Sequence, residues 1–324
     1  MSVLVGGARV VTGPGVTTRS YLPGDEAAVA RLFSDCFGRE GRPDAWRWRF
    51  LDNPSGAGVV ELAFGGDAPA GHYAVSAVEL WCGGRPEMTG LSGTTMTAPA
   101  FRGTGLFPRL ARRVYERMTE AGMTLAWGFP NGNSHRGFVR DLGWLDVWQV
   151  PKLSLDLARL APAGDRDCIE ARGFDDRFDR LWAAARRRYA VIARRDRSQL
   201  AWRYAGNPTR RYRVLVLPDG DGIAGYAVLT RRDDELQVVD ILTRDDAAGT
   251  ALVRAAAELG RAEGCVSAGL WLGVHEPVHR ELEKLGFVPG GPVTFLCARP
   301  LGGGAHPACE FRNWHLTMGD SDVY

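Results

Sequence analysis

Thr97-Ala98-Pro99-Ala100-Phe101-Arg102-Gly103-Thr104-Gly105-Leu106-Phe107 lies between a strand-like segment, MTGLSGTTMT, and a helix-patterned run that ends at Gly122. The order is strand, glycine turn, helix. The first turn of a helix carries unpaired N–H groups and the positive end of the helix dipole, so this order offers a pyrophosphate a seat without a metal. Gly103 and Gly105 let the backbone bend sharply and let a ligand come close. In the following helix Leu106, Phe107, Leu110, Ala111, Val114, Tyr115 and Met118 share one face, and Arg109, Arg112, Arg113 and Arg117 share the other. Most of those arginines read as a solvated face.

The chain repeats itself. Trp48-Arg49-Phe50-Leu51-Asp52-Asn53-Pro54 returns 154 positions later as Trp202-Arg203-Tyr204-Ala205-Gly206-Asn207-Pro208. AGHYAV from Ala70 returns as AGYAV from Ala224, and Leu142-Gly143-Trp144 as Leu285-Gly286-Phe287. Matches in the same order with so long a period imply two copies of one domain. Each copy reads as a strand, a helix such as DEAAVARLFSDCFG, and the Trp-Arg segment ended by its proline. Two alternating strands follow, VVELAF and AGHYAV or YRVLVL and IAGYAV, and then strand, helix, strand, helix. The join falls in LARLAPAGDRDC, residues 157–168, which divides the chain into 1–157 and 158–324. At the place of the glycine turn the second copy has Asp245-Asp246, whose charges would repel a pyrophosphate. Only the first copy is expected to hold the nucleotide-bearing ligand.

At 324 residues, 45% apolar and 24% charged, the chain has the composition of globular domains. A net charge of +2 gives no nucleic-acid surface, and no segment reaches the roughly 20 apolar residues of a membrane helix. The six cysteines are scattered without zinc or redox spacing, and the N-terminus lacks a basic start and a long apolar run. These readings predict a cytoplasmic protein, monomer or homodimer, with no metal, nucleic-acid or membrane partner.

Thr97-Ala98-Pro99-Ala100-Phe101-Arg102-Gly103-Thr104-Gly105 resembles the pattern (apolar)-x-Pro-x-x-(Arg/Gln)-Gly-x-Gly of the GNAT acyltransferases, which move an acyl group from coenzyme A to an amine. Asn131 after the next strand and the closing Leu142-Gly143-Trp144 extend the resemblance, and the repeat carries it over nearly the whole chain. It implies an α/β architecture of two tandem GNAT domains, each a mixed, mostly antiparallel sheet flanked by helices. It implies that the backbone of Arg102, Gly103, Thr104, Gly105, Leu106 and Phe107 holds the pyrophosphate of acyl-coenzyme A. Thr95, Met96 and Thr97 would pair with the pantetheine arm, with an N–H near Met96 facing the oxyanion, and Asn131 and Ser134 would approach from the other side. Two departures stand out. Phe107 replaces a small residue and is expected to turn into the core, and Phe138-Val139 occupy the place of the family's usual tyrosine acid.

Catalytic candidates are His135 at a helix start and Asp320 and Asp322 in the tail FRNWHLTMGDSDVY. His135 reads more readily as a surface histidine near a helix start, and the aspartates as a frayed terminus unless the tail returns to the cleft, anchored by Phe311 and Trp314. The tail and the two Trp-Arg segments resemble tandem GNAT proteins that acylate amino sugars, among them N-acyltransferases of glycopeptide antibiotic pathways. The acceptor implied is the amine of an amino sugar or glycosylated metabolite. A protein or peptide amine, or a non-catalytic acyl-coenzyme A sensor, are the alternatives.

Overall fold

The alternating segments pair in sequence order, as short turns dictate. In the computed structural model, which describes residues 10–11, 15–161 and 168–324, the first copy contains β1 (Val10–Val11), β2 (Val16–Ser20), α1 (Glu26–Phe37), α2 (Pro43–Phe50), β3 (Val59–Gly65), β4 (Ala68–Cys82) and β5 (Arg85–Thr97). It continues with α3 (Leu106–Glu120), β6 (Leu125–Gly128), α4 (His135–Leu142) and β7 (Leu145–Asp156). The second copy contains β8 (Ile169–Ala171), α5 (Asp176–Ala185), β9 (Val191–Ala193), α6 (Arg197–Leu200), β10 (Arg213–Asp219), β11 (Gly222–Arg232) and β12 (Glu235–Thr243). Then come α7 (Asp246–Ala262), β13 (Ser267–Trp271), α8 (Pro277–Lys284), β14 (Val288–Pro300) and β15 (Trp314–His315). The N-terminal stretch read for a leader falls mostly outside the described residues, as do residues 162–167 of the join.

Both copies have a mixed, mostly antiparallel sheet with a matching parallel pair, β5 with β6 and β12 with β13, and the second copy adds the parallel pair of β15 with β9. The two sheets form one, in the order β1-β2-β3-β4-β5-β6-β14-β7-β13-β12-β11-β10-β8. That order reveals an element missing from the sequence reading: a last strand after α4 and after α8. The last strands are exchanged. β14 pairs with β6 of the first copy, and β7 pairs with β13 of the second. Leu153 and Leu155 of β7 lie in the second copy's core around α7, while Cys297 of β14 lies in the first copy's core under α3.

The repeated tryptophans meet on the approximate two-fold axis between the copies. Trp48 and Trp202 stack at 4.7 Å. Each indole N–H donates to the other's carbonyl, at 3.0 and 3.1 Å. Phe37 is 47% exposed and packs on Phe33 at the rim of a cavity.

The tail folds back. Trp314 and His315 pair with β9, which itself pairs with the end of β4. Residues 317–320 then pack on β12: Thr317 Oγ1 donates to Asp240, and Gly319 lies against Val239 and Tyr204. Arg195, 3% exposed, bridges Asp240 at 3.0 Å and Asp320 at 2.8 Å. Burial disfavours the charges of Asp240 and Arg195. The mutual attraction prevails, so the Asp240 carboxyl is held below its usual range and the Arg195 guanidinium is raised.

Candidate active site

The cradle has the conformation its glycines predict. Gly103 has φ +77° and Gly105 φ +76°, and Gly105 directly precedes α3. An added Cβ at either position would meet nothing within 4 Å, so the need for glycine there is torsional. Among the described residues, the N–H groups from Gly103 to Phe107 have no hydrogen-bond partner in the protein, and Pro108 has no N–H to offer. Such a run at a helix start fits a pyrophosphate. Arg102 Nε turns back to the Thr97 carbonyl at 3.3 Å. Phe107 packs on Tyr73 and Phe138, the inward turn expected of it.

The corresponding helix of the second copy closes its own end. Asp245 accepts from the Ala248 N–H at 2.9 Å, and Arg188 pairs with Asp246 at 2.5 Å.

β5 and β6 diverge beside the cradle. They pair only from Gly90 to Ser92, whereas β5 runs on to Thr97. The gap opens into a cavity of about 760 Å³ lined by Ser92, Gly93, Thr94 and Thr95 on one side and by Phe129, Asn131 and Ser134 on the other. Asn131 Oδ1 accepts from the N–H groups of Asn133 and Ser134, which fixes this turn at the mouth. Met96 is buried behind the wall, and Ser92 Oγ is buried beside the Tyr73 hydroxyl.

A bulge shapes that wall. His72 pairs with Met96 and Ala74 with Gly93, which leaves Thr94 and Thr95 together opposite Tyr73. Thr94 has φ +54°, a conformation that costs a non-glycine residue about 1–2 kcal/mol. His72 holds it there. Trp46 Nε1, which can only donate, lies 3.0 Å from His72 Nε2, so the ring proton is on Nδ1 and is donated to the Thr94 carbonyl at 2.9 Å. In the sequence His72 reads only as a packed or exposed strand histidine, and Trp46, its partner here, as a core residue or a surface for stacking on a sugar.

Burial lowers His72 from its ordinary value of 6.5 to about 4. Between those values the unfolded chain takes up a proton that the folded one excludes. Stability from this residue is therefore complete above pH 6.5 and is lost as pH falls toward 4, by up to about 3 kcal/mol. His72→Gln should flatten this part of the curve in urea unfolding measured from pH 7.5 to pH 5. An unchanged slope would remove the buried neutral imidazole from the account.

The three catalytic candidates part company. His135 does not line the cavity: it stacks on Phe295 at 4.1 Å, and its Nε2 meets Asp146 at 2.5 Å. Burial works against the charge of Asp146, but its bonds with His135 and the Cys297 thiol hold its carboxyl below the usual range. His135 therefore belongs to the β7–β14 side of the molecule, and its catalytic assignment is withdrawn. Asp320 is withdrawn too, because it is 6% exposed and committed to Arg195 and to the Thr317 N–H. Asp322 alone reaches the cavity, with its carboxylate against Gly93, where an added Cβ would lie 3.1 Å from Oδ2.

The comparisons agree with this geometry. Residues 17–145 match the family model described as an acetyltransferase (GNAT) domain. The match covers less than half of the chain and makes the first copy similar to a GNAT acetyltransferase domain. On that match the protein is an acyl-coenzyme A-dependent N-acyltransferase. No curated protein matches. The fold is similar to a protein of Enterococcus faecalis V583 described as a probable N-acyltransferase (11% identity, TM-score 0.71, 88% of this chain and 73% of that one). It is also similar to GCN5-related N-acetyltransferases from Kribbella flavida (20%, 0.67, 88% and 71%) and Anabaena variabilis (14%, 0.71, 89% and 73%). At these identities the likeness is one of fold, and it spans both copies. Among the described residues no helix is long and apolar enough to cross a membrane, and all six cysteines are free thiols.

Proposed function

We propose that the protein transfers an acyl group from acyl-coenzyme A, bound in the first copy, to the amine of a small acceptor in the cavity, an amino sugar or glycosylated metabolite. Residues 1–157 supply the donor site, and residues 158–324, with no open cradle of their own, supply a wall and the tail. The observation that carries this reading is the unpaired N–H run at Gly103–Phe107 beside the divergence of β5 and β6. Free thiols suit a reducing cytoplasm.

The pantetheine arm lies between Thr95–Thr97 and Asn131–Ser134, with the thioester carbonyl at the Thr94–Met96 bulge, where an N–H faces its oxygen. The neutral amine attacks the carbonyl carbon. As the tetrahedral adduct collapses, the carbon–sulfur bond breaks and the thiolate leaves. Asp322 takes the proton from the attacking nitrogen, directly or through water. The thiolate is protonated by solvent, since Phe138 cannot serve.

Exchanging Gly103 and Gly105 together for valine forces β-branched side chains into left-handed backbone and crowds the cradle. Calorimetry with an acyl-coenzyme A ester should then show at least about 100-fold weaker binding, the loss of two or more charge-assisted hydrogen bonds. Undiminished binding would refute the donor site.

A further inference from the structure

The cavity is rich in positive charge where the acceptor must enter. Arg39, Arg42, Arg49, Arg203, Arg210 and Arg232 line it, against the carboxylates of Glu40 and Asp322. Arg42 is paired with Asp44 outside the cavity wall. Arg49 is different. Its side chain is 17% exposed and makes no hydrogen bond among the described residues; its nearest carboxylate oxygen, on Asp322, is 3.8 Å away. Arg203 gives one nitrogen to the carbonyls of Ser321 and Tyr324, at 2.6 and 3.0 Å, and its Nε is buried with no partner. These two arginines are the repeat-related pair of the Trp-Arg segments, so the approximate two-fold axis brings them to one wall. Burial lowers the pKa of Arg49; Asp322 opposes the shift and Arg203 adds to it. Arg49 is thus desolvated with a carboxylate no nearer than 3.8 Å and no hydrogen bond among the described residues, which leaves its donors open to a second anion.

The pyrophosphate of the donor does not meet this need, because its cradle at Gly103–Phe107 is outside the lining of the cavity. An acceptor with an amine alone would arrive as a cation in a cationic cavity and be repelled. We infer that the acceptor is an amine that also carries a carboxylate or phosphate, with the acid group on Arg49 and Arg203 and the amine turned toward Asp322. This rests on the acyl-transfer reading of the same cavity and narrows its acceptor to a zwitterion. Arg49 presents a planar fork to such a group, which a lysine would not reproduce.

The test uses the full chain saturated with coenzyme A, with binding followed by tryptophan fluorescence, since Trp46 and Trp48 line the cavity. Glucosamine 6-phosphate and muramic acid are titrated against glucosamine, and 4-aminobutyrate against butylamine. At least one acid-bearing compound should bind about 10-fold or more tightly than its neutral partner, a difference that Arg49→Gln abolishes and Arg49→Lys only partly restores. The phosphate and carboxylate members separate the two sources of the acid group. Equal binding of neutral and acidic members, or no binding by any acidic member, overturns the inference. So does a loss of coenzyme A affinity in a folded Arg49→Gln protein, which would assign the arginine to the donor. Failure of the wild type to bind acyl-coenzyme A would instead refute the donor site.

Discussion

Asp322→Asn should lower kcat/KM for the amine by about 10²–10⁴-fold, the range supplied by a positioned base, while acyl-coenzyme A binds as before. Asp322 lies on the cavity wall beside Gly93, at the approach to the bulge where the thioester is proposed to stand. The loss should shrink as pH is raised, because hydroxide can then take the proton from the attacking nitrogen in place of the carboxylate. Thiol release measured against pH, with calorimetry for the donor, reads both effects. If activity falls by less than about 3-fold, or the deficit is the same at every pH, Asp322 is not the base.

Arg195→Leu should destabilise the protein by about 3–5 kcal/mol, the usual cost of removing one partner from a buried ion pair. Asp240 and Asp320 would remain, at 2% and 6% exposure, facing each other with Tyr226 and Thr317 but without the guanidinium. Urea unfolding at pH 7.5 should show the loss, and it should narrow toward acid pH as the orphaned Asp240 takes up a proton. Activity should fall as well, because this triad fixes the stretch that carries Asp322 to Gly93. A midpoint shift worth less than about 1 kcal/mol would show that the tail is held by its aromatic contacts instead. In this way Asp320 and Asp322, two residues apart, separate into a fault of folding and a fault of chemistry.

The cradle and the repeat were legible in the sequence because both are local. Torsional demand selects Gly103 and Gly105, and the pattern of Trp48 to Pro54 recurs as a string. The last strand of each copy was not legible. Its partners lie far along the chain, and the alternation of LDVWQVPKLSLD is broken where β7 passes from one core to the other. His135 follows Asn131 and Ser134 closely, yet the first turn of α4 carries its ring round to Phe295, away from the mouth that those two residues line. Helical phase separates neighbours in sequence onto different sides. The tail could be read only as free or returning, since the choice depends on Arg195, more than a hundred residues upstream. The Thr94 bulge left no mark in the sequence, because nothing in TTMT requires a left-handed threonine; the imidazole of His72 on the neighbouring strand holds it.

The exchange of β7 and β14 bears on how the molecule is made. When the first half of the chain has left the ribosome, β6 has no antiparallel neighbour, and β7 exposes Leu153 and Leu155, whose core does not yet exist. The donor-binding half cannot finish folding as it emerges. It must wait, with an open sheet edge, until β14 is synthesised, so nascent chains of this protein are exposed to mispairing with one another during that interval. Pulse-labelled synthesis with stalled chains of increasing length would show protease resistance of residues 15–145 appearing only once residue 300 has cleared the exit tunnel.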